Sequence, residues 1–83
     1  MDRDKLKTEL RNYIANEILN RKDFPFSDDE PLLSGGVMDS FAMAQLAVFI
    51  EEQYSVSIPD SRLAVDELDT INDMAEMVIS LYA

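Results

Sequence analysis

The 83-residue sequence contains neither cysteine nor histidine. Without cysteine there is no disulfide framework, no thiolate zinc site and no protein thiol nucleophile. Without histidine there is no imidazole base, no Ser-His-Asp or Cys-His arrangement, and none of the usual transition-metal ligands. Carboxylates alone could serve as acid and base, but their spacing defines no cleft, so the chain is not expected to be an enzyme or to hold a metal. Long apolar runs are missing too. No stretch approaches the length that spans a bilayer, and Met1-Asp2-Arg3-Asp4-Lys5 opens the chain with mixed charge instead of an apolar signal region. A cytoplasmic protein without stable membrane insertion is expected.

Positive charge is scarce after the first quarter of the chain. Six basic residues precede or include Lys22, against four acidic ones; beyond it Arg62 is the only base, against thirteen acids, and the whole chain carries a net charge of −10. Such a field repels phosphate backbones and anionic lipid, which excludes nucleic acid as a natural partner and favours a basic protein patch. The acidity also serves solubility.

The length fits one domain over residues 1–83, with one small core, and a helical bundle is the economical way to build it. From about Asp4 to Asn20, Leu6, Leu10, Ile14 and Ile18 recur at steps of four, with Tyr13 and Leu19 widening the stripe, which predicts an amphipathic first helix. The pattern breaks from Arg21 to Asp39, where Pro25, Pro31 and Gly35-Gly36 punctuate a long loop anchored by Phe24, Phe26, Leu32, Leu33 and Val37. Acidic residues cluster there, but the order of an EF-hand is absent. Ser40 to about Tyr54 is the second helix. Val56 and Ile58 alternate inward in a short extended connection, after which Asp60 or Ser61 can cap a short third helix through Leu63, Ala64 and Val65. Asp66-Glu67-Leu68-Asp69 reads as an acidic link around one apolar anchor. Thr70 then caps a last helix whose stripe is Ile71, Met74, Ala75, Val78, Leu81 and Tyr82. The predicted fold class is all-α: a four-helix bundle with a long loop between helices 1 and 2 and a short third helix.

Gly35 to Tyr54 is the most informative stretch. Two glycines loosen the backbone, Asp39 is suited to cap the second helix, and Ser40 falls at its first position, beside N–H groups that lack intrahelical acceptors. An anion carried on Ser40 would meet those donors and the positive end of the helix dipole. Behind it the helix is apolar nearly all the way round from Phe41 to Ile50. If Met43, Leu46, Ala47, Ile50 and Tyr54 serve the core, then Ala42, Val48 and either Phe41 or Phe49 should remain on a second face, available to a partner.

In their order, these features resemble the acyl carrier proteins of the phosphopantetheine-dependent family. The resemblance covers nearly the whole chain: its acidity, its long first helix, the loop ending Leu32-Leu33-Ser34-Gly35-Gly36-Val37-Met38, the Asp39-Ser40-hydrophobic signature, Glu51-Glu52-Gln53-Tyr54 and Ile58-Pro59-Asp60. It implies that Ser40 receives 4′-phosphopantetheine covalently from coenzyme A through a phosphopantetheinyl transferase. It also implies that Asp39 both caps the helix and helps the transferase's magnesium site. The thiol absent from the sequence would then be supplied by the prosthetic arm, which holds an acyl or aminoacyl group as a thioester. Further implied partners are an acyl-loading ligase or synthase and downstream acyl-using enzymes, met by a monomeric carrier.

Phe41 stands where such carriers usually have leucine, and Ala42 and Gln45 stand where acids are common. This makes for a more apolar partner surface, formed by Phe41, Ala42, Gln45, Val48 and Phe49 with Glu51 and Glu52 beside it. The Asp-Ser-Phe variant and the longer Asp66-to-Thr70 link are similar to D-alanyl carrier proteins and other discrete carriers loaded by adenylate-forming ligases. A competing reading is an unmodified acidic helical adaptor that binds a partner helix through the face around Phe41, Val48 and Phe49. The identity of the cargo and the pathway are not encoded in any motif.

Overall fold

A computed structural model describes residues 2–20 and 26–82. Helix α1 spans Arg3–Tyr13 and begins where Asp2, in extended conformation, accepts hydrogen bonds from the N–H groups of Asp4 and Lys5. Leu6 and Leu10 are buried on one face, chiefly against the last helix. The helix then widens into a π-helical turn, Ile14–Ile18, closed by Leu19 N–H donating to Ile14 O at 2.8 Å. This change of register turns Ala15 inward beside Ile14 and leaves Ile18 only half-buried, so the stripe at steps of four holds for three positions and then slips.

Helix α2 spans Ser40–Tyr54 and ends at Ser55, whose φ of 55° places it in the left-handed region. Its core face is Ala42, Leu46, Ala47 and Ile50. The connection to the next element is held by Glu51, whose Oε2 accepts from Ile58 N–H at 2.8 Å; Ile58 is buried and Val56 half-buried, as their alternation predicts.

The short third helix differs from expectation. Asp60–Arg62 form a single 3-10 turn, and neither Asp60 nor Ser61 supplies a cap: the turn starts after Pro59 without a side-chain cap hydrogen bond. Helix α3 lies later, at Val65–Leu68, in the segment whose charges read as a link. Leu68 is the reason. Its side chain is fully buried, and one turn of helix lets it reach the core while Asp66 is exposed and Glu67, half-buried, pairs with Arg62.

Helix α4 spans Ile71–Tyr82, with Thr70 Oγ1 accepting from Asp73 N–H at 3.0 Å. Ile71, Met74, Ala75, Met77 and Val78 are buried. Tyr82, expected on the apolar stripe, is exposed instead, because the helix runs past the end of the core at its last turn. Among the described residues the architecture is four helices and no strand, with no polar or charged side chain buried. The interior is therefore apolar packing alone, dominated by Leu, Ile, Met and Val, and the polar groups work at its surface.

The described part of the inter-helix loop, residues 26–39, is tied down from three sides. Phe26, Leu32 and Met38 are buried. The Arg11 guanidinium lies over the Phe26 ring, 4.8 Å from its centre, and donates to Phe26 O and to the Asp28 carboxylate. From α4, Asn72 N–H donates to Asp28 O at 3.1 Å and its side-chain amide reaches Asp29. Of the other predicted anchors, Leu33 and Val37 are half-buried against the core and Phe24 lies outside the described residues.

Candidate functional site

The loop delivers Ser40 through a short chain of constraints. Gly35 packs against the preceding turn, where a Cβ would run into the Pro31 carbonyl oxygen, and its N–H donates to that oxygen at 3.0 Å. Gly36 has a φ of +82°, a conformation that favours glycine. Met38 then drops its side chain into the core while its N–H donates to Leu32 O at 2.8 Å. Asp39 comes next in extended conformation, with φ −105° and ψ −178°, and its Oδ1 accepts from Ala42 N–H at 2.8 Å. The first intrahelical bond runs from Met43 N–H to Asp39 O at 3.0 Å. With Ala42 N–H taken by the Asp39 side chain, the N–H groups of Ser40 and Phe41 are left without an acceptor in the first turn.

Ser40 is exposed, and so is the residue after it: Phe41 is 79% exposed. This is a convex end of a helix, not a cleft. Two shallow concavities lie elsewhere. A shallow groove of about 470 Å³ is floored by Tyr13 and Phe49 and edged by Glu9 and Gln53, and a second, of about 390 Å³, lies between Lys5, Gln53 and Tyr82; neither includes Ser40. A hydroxyl exposed beside free helix-end donors can carry a group outward.

Of the residues expected around Ser40, Phe41, Gln45, Val48 and Glu52 are exposed on α2. Ala42 is not: it is buried, because the position two residues into the helix turns toward Leu46 and the core. Phe49 is half-buried, stacked on Tyr13 with ring centres 3.9 Å apart and set edge-on to Tyr54 at 6.3 Å. The choice left open between Phe41 and Phe49 is therefore decided: Phe41 faces solvent. Glu51 is half-buried and committed to the Ile58 N–H. The outward face is narrower than the sequence implied, and it runs along Phe41, Gln45, Val48 and Glu52.

One tie on the loop before Ser40 has no signal in the sequence. Asp69, between α3 and α4, takes the N–H groups of Leu33 and Ser34 on Oδ1 at 2.8 and 2.9 Å and the Ser34 hydroxyl on Oδ2 at 2.6 Å. Partial burial alone would raise the Asp69 pKa; the Ser34 hydroxyl and the Ser34 and Leu33 N–H groups outweigh it and hold the carboxyl below its ordinary value.

A family profile described as "Phosphopantetheine attachment site" matches residues 9–78. The chain belongs to this phosphopantetheine carrier family. Among curated relatives, the carrier is 34% identical over 76 residues to the D-alanyl carrier protein of Streptococcus sanguinis, covering 92% of this chain and 94% of that protein. It is 32% identical over 63 residues to the D-alanyl carrier protein of Lactobacillus acidophilus, covering 76% and 80%. The D-alanyl carrier protein of Lactobacillus delbrueckii subsp. bulgaricus is 30% identical over 60 residues, covering 72% and 75%. No solved structure gives a significant match. Members of the family are carriers, not enzymes; they bear phosphopantetheine covalently and work with transferases, ligases and acyl-using enzymes. The adaptor reading is disfavoured by this membership. Among the described residues, no helix is long and apolar enough to cross a membrane.

Proposed function

We propose that Ser40 is the attachment serine and that the chain carries an aminoacyl or acyl group, loaded by an adenylate-forming ligase and passed to partner enzymes in a specialised pathway. The observation that carries the reading is Ser40 itself: an exposed hydroxyl at the first position of α2, behind a formed Asp39 cap, with two helix-end N–H groups beside it. These residues fit a phosphodiester-linked arm. The oxygen is reachable, the helix end favours the negative charge, and nothing encloses the path outward. In loading, Ser40 Oγ passes its proton to a base of the transferase as it bonds the pantetheine-side phosphorus of the coenzyme A diphosphate, and the bond from that phosphorus to the bridging oxygen breaks, releasing adenosine 3′,5′-bisphosphate. Asp39 holds the helix end rigid during this step and turns a carboxylate toward the transferase, where it would complete a magnesium site. Once attached, the arm supplies the thiol that the chain lacks.

The D-alanyl carrier relatives and the Asp39-Ser40-Phe41 sequence support an aminoacyl cargo over a long acyl chain. The interior agrees, since its buried positions are filled by Leu, Ile and Met side chains. Phe41 and Val48 form the contact for the ligase, and a monomeric cytoplasmic carrier is the form in which they stay accessible. Intact-mass measurement after incubation with coenzyme A and a broad-specificity phosphopantetheinyl transferase tests the reading. Wild type gains one phosphopantetheine, and Ser40→Ala gains none. An unmodified wild type would overturn it.

A further inference from the structure

We infer that Asp69 is a positioning residue for loading: from the α3–α4 junction it fixes the loop that presents Ser40 to the transferase. The inference rests on Ser40 being the attachment serine. Asp69 is itself well anchored, lying between Leu68, which is fully buried, and Thr70, which caps α4. Beyond the three bonds to its carboxylate, its backbone carbonyl accepts from Leu32 N–H at 2.7 Å. One residue thereby holds three consecutive loop residues, Leu32, Leu33 and Ser34, from a point distant in sequence.

The clamp matters because of the two residues immediately beyond it. These are Gly35 and Gly36, and a glycine pair restrains the backbone least where the chain is about to enter α2. The Met38 N–H returns to Leu32 O, so the loop closes on the residue that Asp69 holds. The N–H bonds of the two glycines, to Pro31 O and Leu33 O, stay within the loop, so the loop is tied to the rest of the bundle upstream by Asp69 and downstream by the Asp39 cap. Gly36 N–H closes the turn locally by donating to Leu33 O at 3.2 Å, and the Asp69 carboxylate adds the bonds to Leu33, Ser34 and the Ser34 hydroxyl that tie this turn to the α3–α4 junction. Without that carboxylate, the loop samples orientations in which Ser40 Oγ cannot align with the phosphorus it must bond. The competent fraction falls, and the apparent affinity of the transferase for the apo carrier falls with it.

The test is steady-state loading of the full-length apo protein by a broad-specificity phosphopantetheinyl transferase and coenzyme A, comparing wild type, Asp69→Ala, Asp69→Asn and the core control Val78→Ala. Asp69→Ala should raise KM about tenfold with a smaller change in kcat. Asp69→Asn, which keeps an acceptor oxygen for Leu33 and Ser34, should recover most of the loss. Val78→Ala should load like wild type although its melting temperature drops, and amide exchange at Leu33, Ser34 and Met38 should accelerate in Asp69→Ala alone. A wild-type KM for Asp69→Ala, or an equal KM rise in Val78→Ala, would overturn the inference while leaving Ser40 loaded. A wild type that gains no phosphopantetheine would overturn the attachment reading and this inference together. Should Asp69→Ala fail to fold, Ser34→Ala decides by the same comparison: a raised KM supports the clamp, and an unchanged one refutes it.

Discussion

The Tyr54 hydroxyl donates to Glu9 Oε1 at 2.7 Å, joining the last residue of α2 to the middle of α1. Burial, the hydrogen bond to Glu9 and the Glu9 charge, in that order, all push the Tyr54 pKa well above its ordinary value. Because the folded value is raised, the resulting stability is fully present below about pH 10, where an unfolded tyrosine begins to ionise, and is lost as pH rises further. Tyr54→Phe should therefore cost about 1 kcal/mol at neutral pH. The gap to wild type should narrow above about pH 10, which urea unfolding at neutral and alkaline pH would measure. A gap that is constant across that range would contradict the assigned bond.

Asp69 gives the opposite sign. Its folded pKa is depressed, so its contribution is present above the ordinary aspartate value and is lost as pH falls through the folded one. Wild type should be more stable than Asp69→Asn by a constant amount from neutral pH down to about pH 5, and the two curves should converge below that. Denaturant unfolding across the acid range would show it.

How much of this was legible in the sequence depends on how local each feature is. The Asp39 cap, the Thr70 cap and the Leu6-Leu10-Ile14 stripe rely on neighbours within a turn, and each is formed. The third helix was misplaced because Asp66 and Glu67 read as linker charge, whereas the position of α3 is decided by where Leu68 must reach. Ala42 was misassigned because an all-round apolar helix has no polar face to mark its orientation; only packing chooses one. Asp69 was invisible for a further reason. Its partners lie in another loop, and no local spacing encodes a contact set by tertiary structure.

The outward face of α2 gives a prediction that separates binding from folding. Val48 is 53% exposed, so Val48→Glu should change stability by no more than about 0.5 kcal/mol. It should raise the KM of a loading enzyme for the carrier. Loss of folding in the circular dichroism spectrum would mean that Val48 packs into the core.

Leu68 tests the unexpected placement of α3. Its side chain is fully buried, so Leu68→Ala should cost about 2–5 kcal/mol, a large share of the total for a small domain. A denaturant midpoint close to wild type would show that α3 does not deliver Leu68 to the core.

Peptide mapping by tandem mass spectrometry after enzymatic loading locates the arm that Ser40 is proposed to bear. Ser34, in the same loop, is the informative alternative, because its hydroxyl is engaged by Asp69 while the Ser40 hydroxyl is exposed at the start of α2. One phosphopantetheine is expected on the peptide containing Ser40, fragmenting to Ser40, and none on Ser40→Ala. Modification at Ser34 or at any other residue, or full loading of Ser40→Ala, would contradict that assignment.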